Sequence, residues 1–294
     1  MVHVCFGLHD ANGHYSKFVG TAILSMLENY NTPPQSLIIH ILHDDTLTID
    51  NREKFISLVN SFNQLVKFYN VEKICADKIS EYIELIPAMP DSRYTVGSFY
   101  RFLIPNALDK DIKKAIYLDG DVIINLDIKT LWQIDIGDSP LGVVLEKDMG
   151  IQPARNYSAL CKDGFINDEN YFNSGMLVMN LEVLRNEEET LRAGLKFLNE
   201  HPEYIFFDQE ILNYCFETRT FKLPVRFNHM TTATRKYNNF TIRDEIYHYV
   251  GTFKGIGLNL NMNDPFCRLW MNYFLRTPFF SVETISNIYE TITQ

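Results

Sequence analysis

The stretch at residues 115–127, AIYLDGDVIINLD, constrains the fold more than any other part of the sequence. Apolar runs lie on both sides of Asp119, Gly120 and Asp121. Short apolar runs bounded by glycine predict buried strands. In an extended backbone, residues i and i+2 point to the same side, so both carboxylates can face one point. Converging oxygen ligands suit Mg²⁺ or Mn²⁺, which share their coordination with substrate phosphates. The stretch therefore predicts a metal–diphosphate site at the end of a strand, where open α/β sheets bind ligands.

Two other interpretations of this motif stay open at this point. An Asp-x-Asp pair is common in solvated turns, although a carboxylate pair at the mouth of a buried strand is costly without a partner. The motif also resembles the Asp-x-Asp-x-Thr/Val opening of the haloacid-dehalogenase phosphatases. In that family the first aspartate, here Asp119, is a nucleophile. The motif alone does not name the reaction.

Composition narrows the class of protein. The chain has 294 residues, 46% of them hydrophobic, which is enough for one large α/β domain or two small ones. A net charge of −10 argues against a broad nucleic-acid surface. Five well-separated cysteines without a C-x-x-C pair suggest neither a zinc site nor a disulfide framework. With no signal-peptide pattern and no apolar run near 18 residues, we expect a cytoplasmic protein with at most peripheral membrane association.

The order of the predicted elements indicates the fold class. Apolar runs at residues 2–8, 37–42 and 65–69 predict strands, and amphipathic segments around residues 18–27 and 48–62 predict the helices between them. This alternation favours an α/β fold with a mostly parallel sheet flanked by helices. Downstream, the sequence predicts a strand at 140–146, one helix at 181–199, and a packed helical segment after residue 264.

Three further places carry candidate site residues, each with a structural alternative. Asp10 and Asn12 lie in the loop after the first strand, a favoured place for nucleotide contacts or for a turn that satisfies its own backbone. Asp208 and Gln209 lie at a predicted helix N-terminus, which favours negative charge and leaves free N–H donors, although an N-cap role explains an aspartate there. His248 ends a short β-like run, where a packed core histidine is the commoner case.

Five stretches together resemble the retaining glycosyltransferases of family 8, which include bacterial lipopolysaccharide galactosyl- and glucosyltransferases and glycogenin. They occur in the family's order and at similar separations. The stretches are YRFLIPNAL (100–108), AIYLDGDVII (115–124), YFNSGMLVMNL (171–181), FDQEILN (207–213) and IYHYVGTFK (246–254). The resemblance implies a GT-A fold, with a transferase domain over residues 1–257 and a C-terminal helical segment over residues 258–294 packed on it.

The resemblance also implies roles for individual residues. Asp119, Asp121 and His248 correspond to the metal ligands. The nucleotide-diphosphate contacts correspond to Asp10, Asn12, Gly120, Gly251 and Lys254. Contacts to the donor sugar correspond to Arg101, Glu146, Asn173, Ser174, Asp208 and Gln209, with Glu146 where the family usually has aspartate. Gln209 resembles the residue beneath the anomeric carbon, and with Asp208 it forms the expected catalytic pair.

The implied reaction is transfer of glucose or galactose from a UDP-sugar to a glycan, glycoprotein or glycolipid, with Mn²⁺ or Mg²⁺ as cofactor. An amide is a poor nucleophile, so Gln209 favours same-face attack over a covalent intermediate. Two alternatives remain: a phosphatase that uses Asp119, and a non-catalytic protein that binds a sugar nucleotide. The phosphatase motif normally opens its domain, whereas over a hundred residues of α/β chain precede Asp119 here.

Overall fold

The computed structural model describes residues 1–11, 13–85, 96–201, 207–234, 240–250 and 263–281. The strands are β1 (Val2–Leu8), β2 (Leu37–His43), β3 (Leu65–Asn70), β4 (Lys114–Leu118), β5 (Val122–Ile124), β6 (Leu141–Val143), β7 (Met176–Asn180), β8 (Phe221–Lys222), β9 (His229–Met230) and β10 (Ile246–His248). The helices are α1 (Tyr15–Glu28), α2 (Ile49–Ser61), α3 (Val71–Ile74), α4 (Ala76–Leu85), α5 (Tyr100–Ala107), α6 (Lys129–Trp132), α7 (Ala159–Lys162), α8 (Leu181–Leu184), α9 (Glu188–Glu200), α10 (Phe207–Phe216), α11 (Thr231–Thr234) and α12 (Pro265–Phe274).

Seven strands form one sheet in the order β3-β2-β1-β4-β7-β6-β8. Strands β3, β2, β1 and β4 are parallel, as the βα alternation predicts. Strand β7 runs antiparallel to both β4 and β6, so the sheet is mixed, although parallel pairs predominate. Strand β2 is buried at every position, because helices cover both faces of the sheet.

A second, three-stranded sheet in the order β5-β10-β9 positions the functional residues. Strand β10 runs antiparallel to β5 and pairs His248 with Val122, the residue that follows Asp121. The Tyr249 N–H donates to the carbonyl of Asp121 (2.9 Å), and the Asp119 N–H donates to the carbonyl of Gly175 (2.8 Å). Segments distant in sequence thus meet at the Asp-Gly-Asp turn between β4 and β5.

Three local predictions differ from the structure. The segment predicted as one helix at 181–199 is two helices, α8 and α9, because backbone N–H groups of residues 185–187 close tight turns after α8. The strand predicted at 140–146 is shorter, spanning only β6 (Leu141–Val143), and Glu146 begins a 3₁₀ turn. The helix predicted around residues 18–27 is α1, which begins earlier, at Tyr15, and the Ser16 hydroxyl in its first turn donates to Asp10.

The C-terminal helix packs on the first helix of the chain. Asp264 caps α12 by accepting from the Phe266 N–H (2.8 Å). The Trp270 and Phe18 rings lie 5.6 Å apart, and the Asn29 amide donates to the Tyr273 hydroxyl (3.1 Å). Residues 258–262 and 282–294 of the predicted C-terminal segment lie outside the described residues, so its boundary stays a prediction. Within the described ranges, every helix is too short or too polar to cross a membrane.

Candidate active site

Asp119, Asp121 and His248 form a cluster with the geometry of a metal site. One ligand atom from each lies within 4.8 Å of the other two. The His248 Nε2 atom is 3.2 Å from Asp121 Oδ1 and 3.9 Å from Asp119 Oδ2. Two carboxylates and an imidazole are a donor set that fits Mn²⁺, and Mg²⁺ less closely. The three residues predicted as metal ligands are therefore brought together, and they fit such an ion.

Electrostatic attraction in this cluster favours the charged forms of Asp121 and His248. Burial opposes charge on Asp121 and His248, but their mutual attraction prevails. It holds the pKa of Asp121 below its usual value and raises the pKa of His248. A metal ion binds the neutral imidazole, so an ion at this site would compete with a proton for Nε2.

Gly175 makes room for the cluster. A Cβ atom at this position would lie 2.2 Å from His248 Cε1 and 2.8 Å from Asp119 Oδ2. Both distances are far below van der Waals contact. Glycine is therefore the residue that lets β7 begin directly behind two of the three candidate ligands.

Arg101 joins the metal cluster to the predicted sugar-binding residues. Its guanidinium, 5% exposed, lies 2.9 Å from Asp119 Oδ1 and 2.9 Å from Asp208 Oδ2. It also donates to the carbonyls of Ser174 (2.8 Å) and Ser98 (2.9 Å). Burial opposes its charge, but the two aspartates raise its pKa. The arginine is therefore a fixed cation between the partly exposed Asp119 and the buried Asp208, a role to which its planar fork of donors is suited.

A buried amide network occupies the other side of Arg101. The Gln209 side-chain oxygen accepts from Asn173 Nδ2 (2.9 Å) and from the Ser174 N–H (3.2 Å). Its nitrogen donates to Glu146 Oε1 (3.0 Å) and to the Tyr171 hydroxyl (2.9 Å). All four hydrogen-bonding positions of this amide are therefore used within the protein.

Two glutamates next to this network each keep one oxygen without a partner among the described residues, namely Oε2 of Glu146 and Oε1 of Glu210. Burial raises the pKa of Glu146 to about 7 and that of Glu210 to about 8. A buried carboxyl oxygen without a partner is costly, so each is a candidate to hydrogen-bond with a ligand hydroxyl.

Asp10 does not present a free carboxylate to the sheet edge. Its oxygens accept from the Tyr15 N–H (2.6 Å), the Ser16 hydroxyl and Asn51 Nδ2 (3.1 Å), so it ties α1 and α2 to the end of β1. The adjacent His9, 24% exposed, is oriented by Asp44, which lies 2.5 Å from its Nδ1. His9 is thus more accessible than Asp10, and the sequence analysis did not single it out.

Four other predicted site residues need a separate statement. Gly120 packs against α1: its N–H donates to the Tyr15 hydroxyl (3.2 Å), and a Cβ would lie 2.9 Å from Val19 Cγ2. Asn12, Gly251 and Lys254 lie outside the described residues. Their nucleotide contacts stay predictions.

Asn228 is a further residue that the sequence did not reveal. It is completely buried, and it lies between His248 and Asn173 at hydrogen-bond distance from both. No motif or periodic pattern marks it in the stretch RFNHM. Only the pairing of β9 with β10 brings it to the site.

Comparison with known proteins agrees with this architecture. The family model described as glycosyl transferase family 8 matches residues 8–255. General stress protein A of Bacillus subtilis is 25% identical over 293 residues, covering 94% of each chain. The lipopolysaccharide 1,3-galactosyltransferase of Salmonella typhimurium is 21% identical over 251 residues, covering 80% of this chain and 68% of that one.

A solved structure confirms the predicted fold. The galactosyltransferase LgtC, in complex with donor and acceptor sugar analogs, superposes with a TM-score of 0.73 at 19% identity, covering 97% of this chain and 100% of that one. The α/β GT-A fold and the resemblance drawn from the five motifs are therefore confirmed. Because the family match extends over most of the sequence, the chain belongs to glycosyl transferase family 8.

Proposed function

We propose that this glycosyltransferase moves glucose or galactose from a UDP-sugar to a glycan or glycoconjugate acceptor with retention of anomeric configuration. The observation that carries the proposal is the arrangement around Arg101. One end of the guanidinium binds a candidate metal ligand, Asp119, and the other end binds Asp208 in the predicted sugar pocket. A diphosphate on the metal side and a hexose on the amide side would place the scissile bond between the two.

The metal cluster would serve the leaving group. A divalent ion held by Asp119, Asp121 and His248 would supply positive charge against the charge that develops on departing UDP. The chain's own contribution is a set of ligands held in place by β4, β5 and β10 before any substrate arrives. Lys254 is the second cation proposed for the diphosphate.

The predicted sugar pocket beside Arg101, here called the sugar side, favours attack on the same face over a covalent intermediate. Asp208 directly precedes Gln209, but its Oδ2 is held by Arg101 (2.9 Å) and by the Ser174 hydroxyl (2.9 Å). A carboxylate held in this way is a weak nucleophile and a good fixed acceptor. The Gln209 amide is fixed by its four hydrogen bonds, so its role would be placement. The oxygen of Glu146 that is unpartnered among the described residues would hydrogen-bond with a sugar hydroxyl.

The proposed acceptor and location follow from the relatives and from the helices of the chain. Two matched relatives are named for lipopolysaccharide sugar transfer, one a galactosyltransferase and one a glucosyltransferase. Glycan, glycoprotein and glycolipid acceptors all remain within the proposal. A cytoplasmic enzyme that meets a membrane at most peripherally is consistent with the absence of a spanning helix among the described residues.

The test is UDP release from a panel of UDP-sugars, measured with Mn²⁺ and with EDTA. We expect release from UDP-glucose or UDP-galactose that needs the metal and is lost in Asp121→Ala. Asp127→Ala is the matched control, because Asp127 is a half-buried aspartate whose carboxylate accepts from the Lys129 N–H (2.9 Å), away from the cluster. NMR of the freshly released hexose should show the α-anomer first.

Two outcomes would overturn the proposal. If calorimetry shows UDP and Mn²⁺ binding while no sugar nucleotide or acceptor panel gives turnover, the non-catalytic alternative is correct. Metal-independent release that survives Asp121→Ala would remove the cluster from the reaction.

A further inference from the structure

The amide side chains between the metal cluster and Glu146 have one possible orientation. Two backbone donors impose it: the Ser174 N–H donates to Gln209 Oε1 (3.2 Å), and the Gly175 N–H donates to Asn173 Oδ1 (3.0 Å). A backbone N–H can only donate, so both amide oxygens are identified without reference to their neighbours. Asn173 Nδ2 then faces Gln209 Oε1 (2.9 Å), which is consistent.

The orientation of Asn228 follows from that of Asn173. Asn173 Oδ1 accepts from the Asn228 side chain at 2.9 Å, so the atom of Asn228 that faces it is the NH₂ group. The oxygen of Asn228 is therefore directed at His248 Nδ1, 3.0 Å away. An amide oxygen accepts only, so Nδ1 of His248 carries the proton.

This assignment decides which histidine nitrogen can bind a metal. A neutral imidazole protonated on Nδ1 has its lone pair on Nε2, the nitrogen that faces Asp121 and Asp119. We propose that Asn228 is a positioning residue of the metal site. It fixes the tautomer and ring orientation of His248, and it receives its own orientation from the backbone of residues 174–175. The inference rests on the metal site of the proposed function.

The hydrogen bonds between these side chains form one series in which every bond points the same way. It runs from His248 through Asn228, Asn173 and Gln209 to Glu146 Oε1, each group donating to the next. Each of these side chains is at most 8% exposed. Water therefore cannot replace a broken link at low cost. The same side chains thus hold a metal ligand at one end and a predicted sugar contact at the other.

The experiment measures Mn²⁺ affinity without nucleotide, by electron paramagnetic resonance of free Mn²⁺. In Asn228→Ala we expect affinity to fall about 10–100-fold, the usual effect of losing a group that orients a metal-binding histidine. Asn228→Leu keeps most of the volume without an acceptor and should behave alike, so loss of folding in one variant leaves the other. The matched control is Gln64→Ala, which removes a buried amide bound to the Ser36 and Leu37 N–H groups, outside this network. It should bind Mn²⁺ like the parent.

Asn228→Asp separates positioning from general structural damage. Its carboxylate still accepts from His248 Nδ1–H, so Mn²⁺ affinity should stay close to that of the parent. It cannot donate to Asn173, so affinity for the UDP-sugar should fall while affinity for UDP does not. If the alanine and leucine variants fold and bind Mn²⁺ as the parent does, or if the aspartate variant is as weak as they are, the inference is wrong. Absence of Mn²⁺ binding in the parent would instead count against the proposed metal site itself.

Discussion

The two clusters on either side of Arg101 differ in how far the protein itself satisfies their polar atoms. The metal-side carboxylates are partly accessible, with Asp119 21% and Asp121 30% exposed. Asp121 is held by a histidine rather than by a permanent cation. On the sugar side, Asn173, Ser174, Asp208 and Gln209 are buried and bind one another.

This difference corresponds to two ways of binding a ligand. The two converging carboxylates share one permanent cation, Arg101 on Asp119, so they keep negative charge that an ion can neutralise. Side chains that already satisfy one another are rigid, and they present a few fixed acceptors to a substrate without rearrangement. We therefore expect substitutions on the metal side to change ligand binding more than stability, and substitutions that disconnect the sugar side to change both.

The largest expected effect is that of Arg101→Ala, which damages both clusters at once. It leaves Asp119 and Asp208 without the cation that faces them, and breaking a buried ion pair from one side costs about 3–5 kcal/mol. Urea denaturation should show a loss of this order in the free energy of unfolding, and UDP release should vanish.

Arg185→Ala is the matched control for the arginine prediction. Among the described residues, Arg185 donates only to backbone carbonyls, including those of Pro105 (2.8 Å) and Ile112 (3.1 Å). Its loss leaves no buried carboxylate unpaired, so the stability cost should be smaller and UDP release should persist. The interpretation of Arg101 as the link between two clusters is wrong if Arg185→Ala costs more, or if Arg101→Ala keeps activity.

Gly175→Ala should act on the metal cluster, whereas Arg101→Ala damages both clusters. Its Cβ would overlap His248 and Asp119, so we expect Mn²⁺ affinity to fall about 10-fold or more through displaced ligands. Gly142→Ala is the control: there the Cβ would lie 3.0 Å from Ile136 Cγ2 and 3.2 Å from Val178 Cβ, in the core. Thermal unfolding should register the control substitution, and an Mn²⁺ titration should not. Equal Mn²⁺ affinities in the two variants would contradict the steric argument.

The sequence predicted the parts of the molecule that depend on local pattern. Strands β1 to β4 and the Asp-Gly-Asp turn follow from apolar runs and glycine, because buried parallel strands are nearly continuous in hydrophobicity. The order of the βα units predicted the parallel half of the sheet. The antiparallel β7 was not predicted, since a run of apolar residues gives no strand direction.

Contacts between residues distant in sequence could not be predicted from local sequence patterns. Asp10 carries the residue type expected for a nucleoside contact, yet three protein donors surround its carboxylate, and no local pattern announces Asn51 as one of them. Asn228 is a single amide in an irregular segment. Its position is decided by the pairing of β9 with β10, which sequence periodicity does not encode.

The smallest expected effect concerns Glu210, a carboxyl group that neither cluster neutralises. Burial raises its pKa in the folded state to about 8, above the ordinary value of 4.5, so between these values the folded state holds a proton that the unfolded state has lost. Stability therefore falls as pH rises through this window. Glu210→Gln removes the ionisable group, so its melting temperature should exceed that of the parent by an amount that grows from pH 5 to pH 8. With a gain in stability on the order of 1–3 kcal/mol at pH 8, the melting temperature should rise by several degrees.

Glu169→Gln, at an exposed carboxylate paired with Lys147, should show no such trend. If the Glu210→Gln difference is flat with pH, the group is ionised in the folded protein. The Oε1 atom of Glu210 would then have a partner, and Glu210 would belong with the satisfied side chains on the sugar side of Arg101.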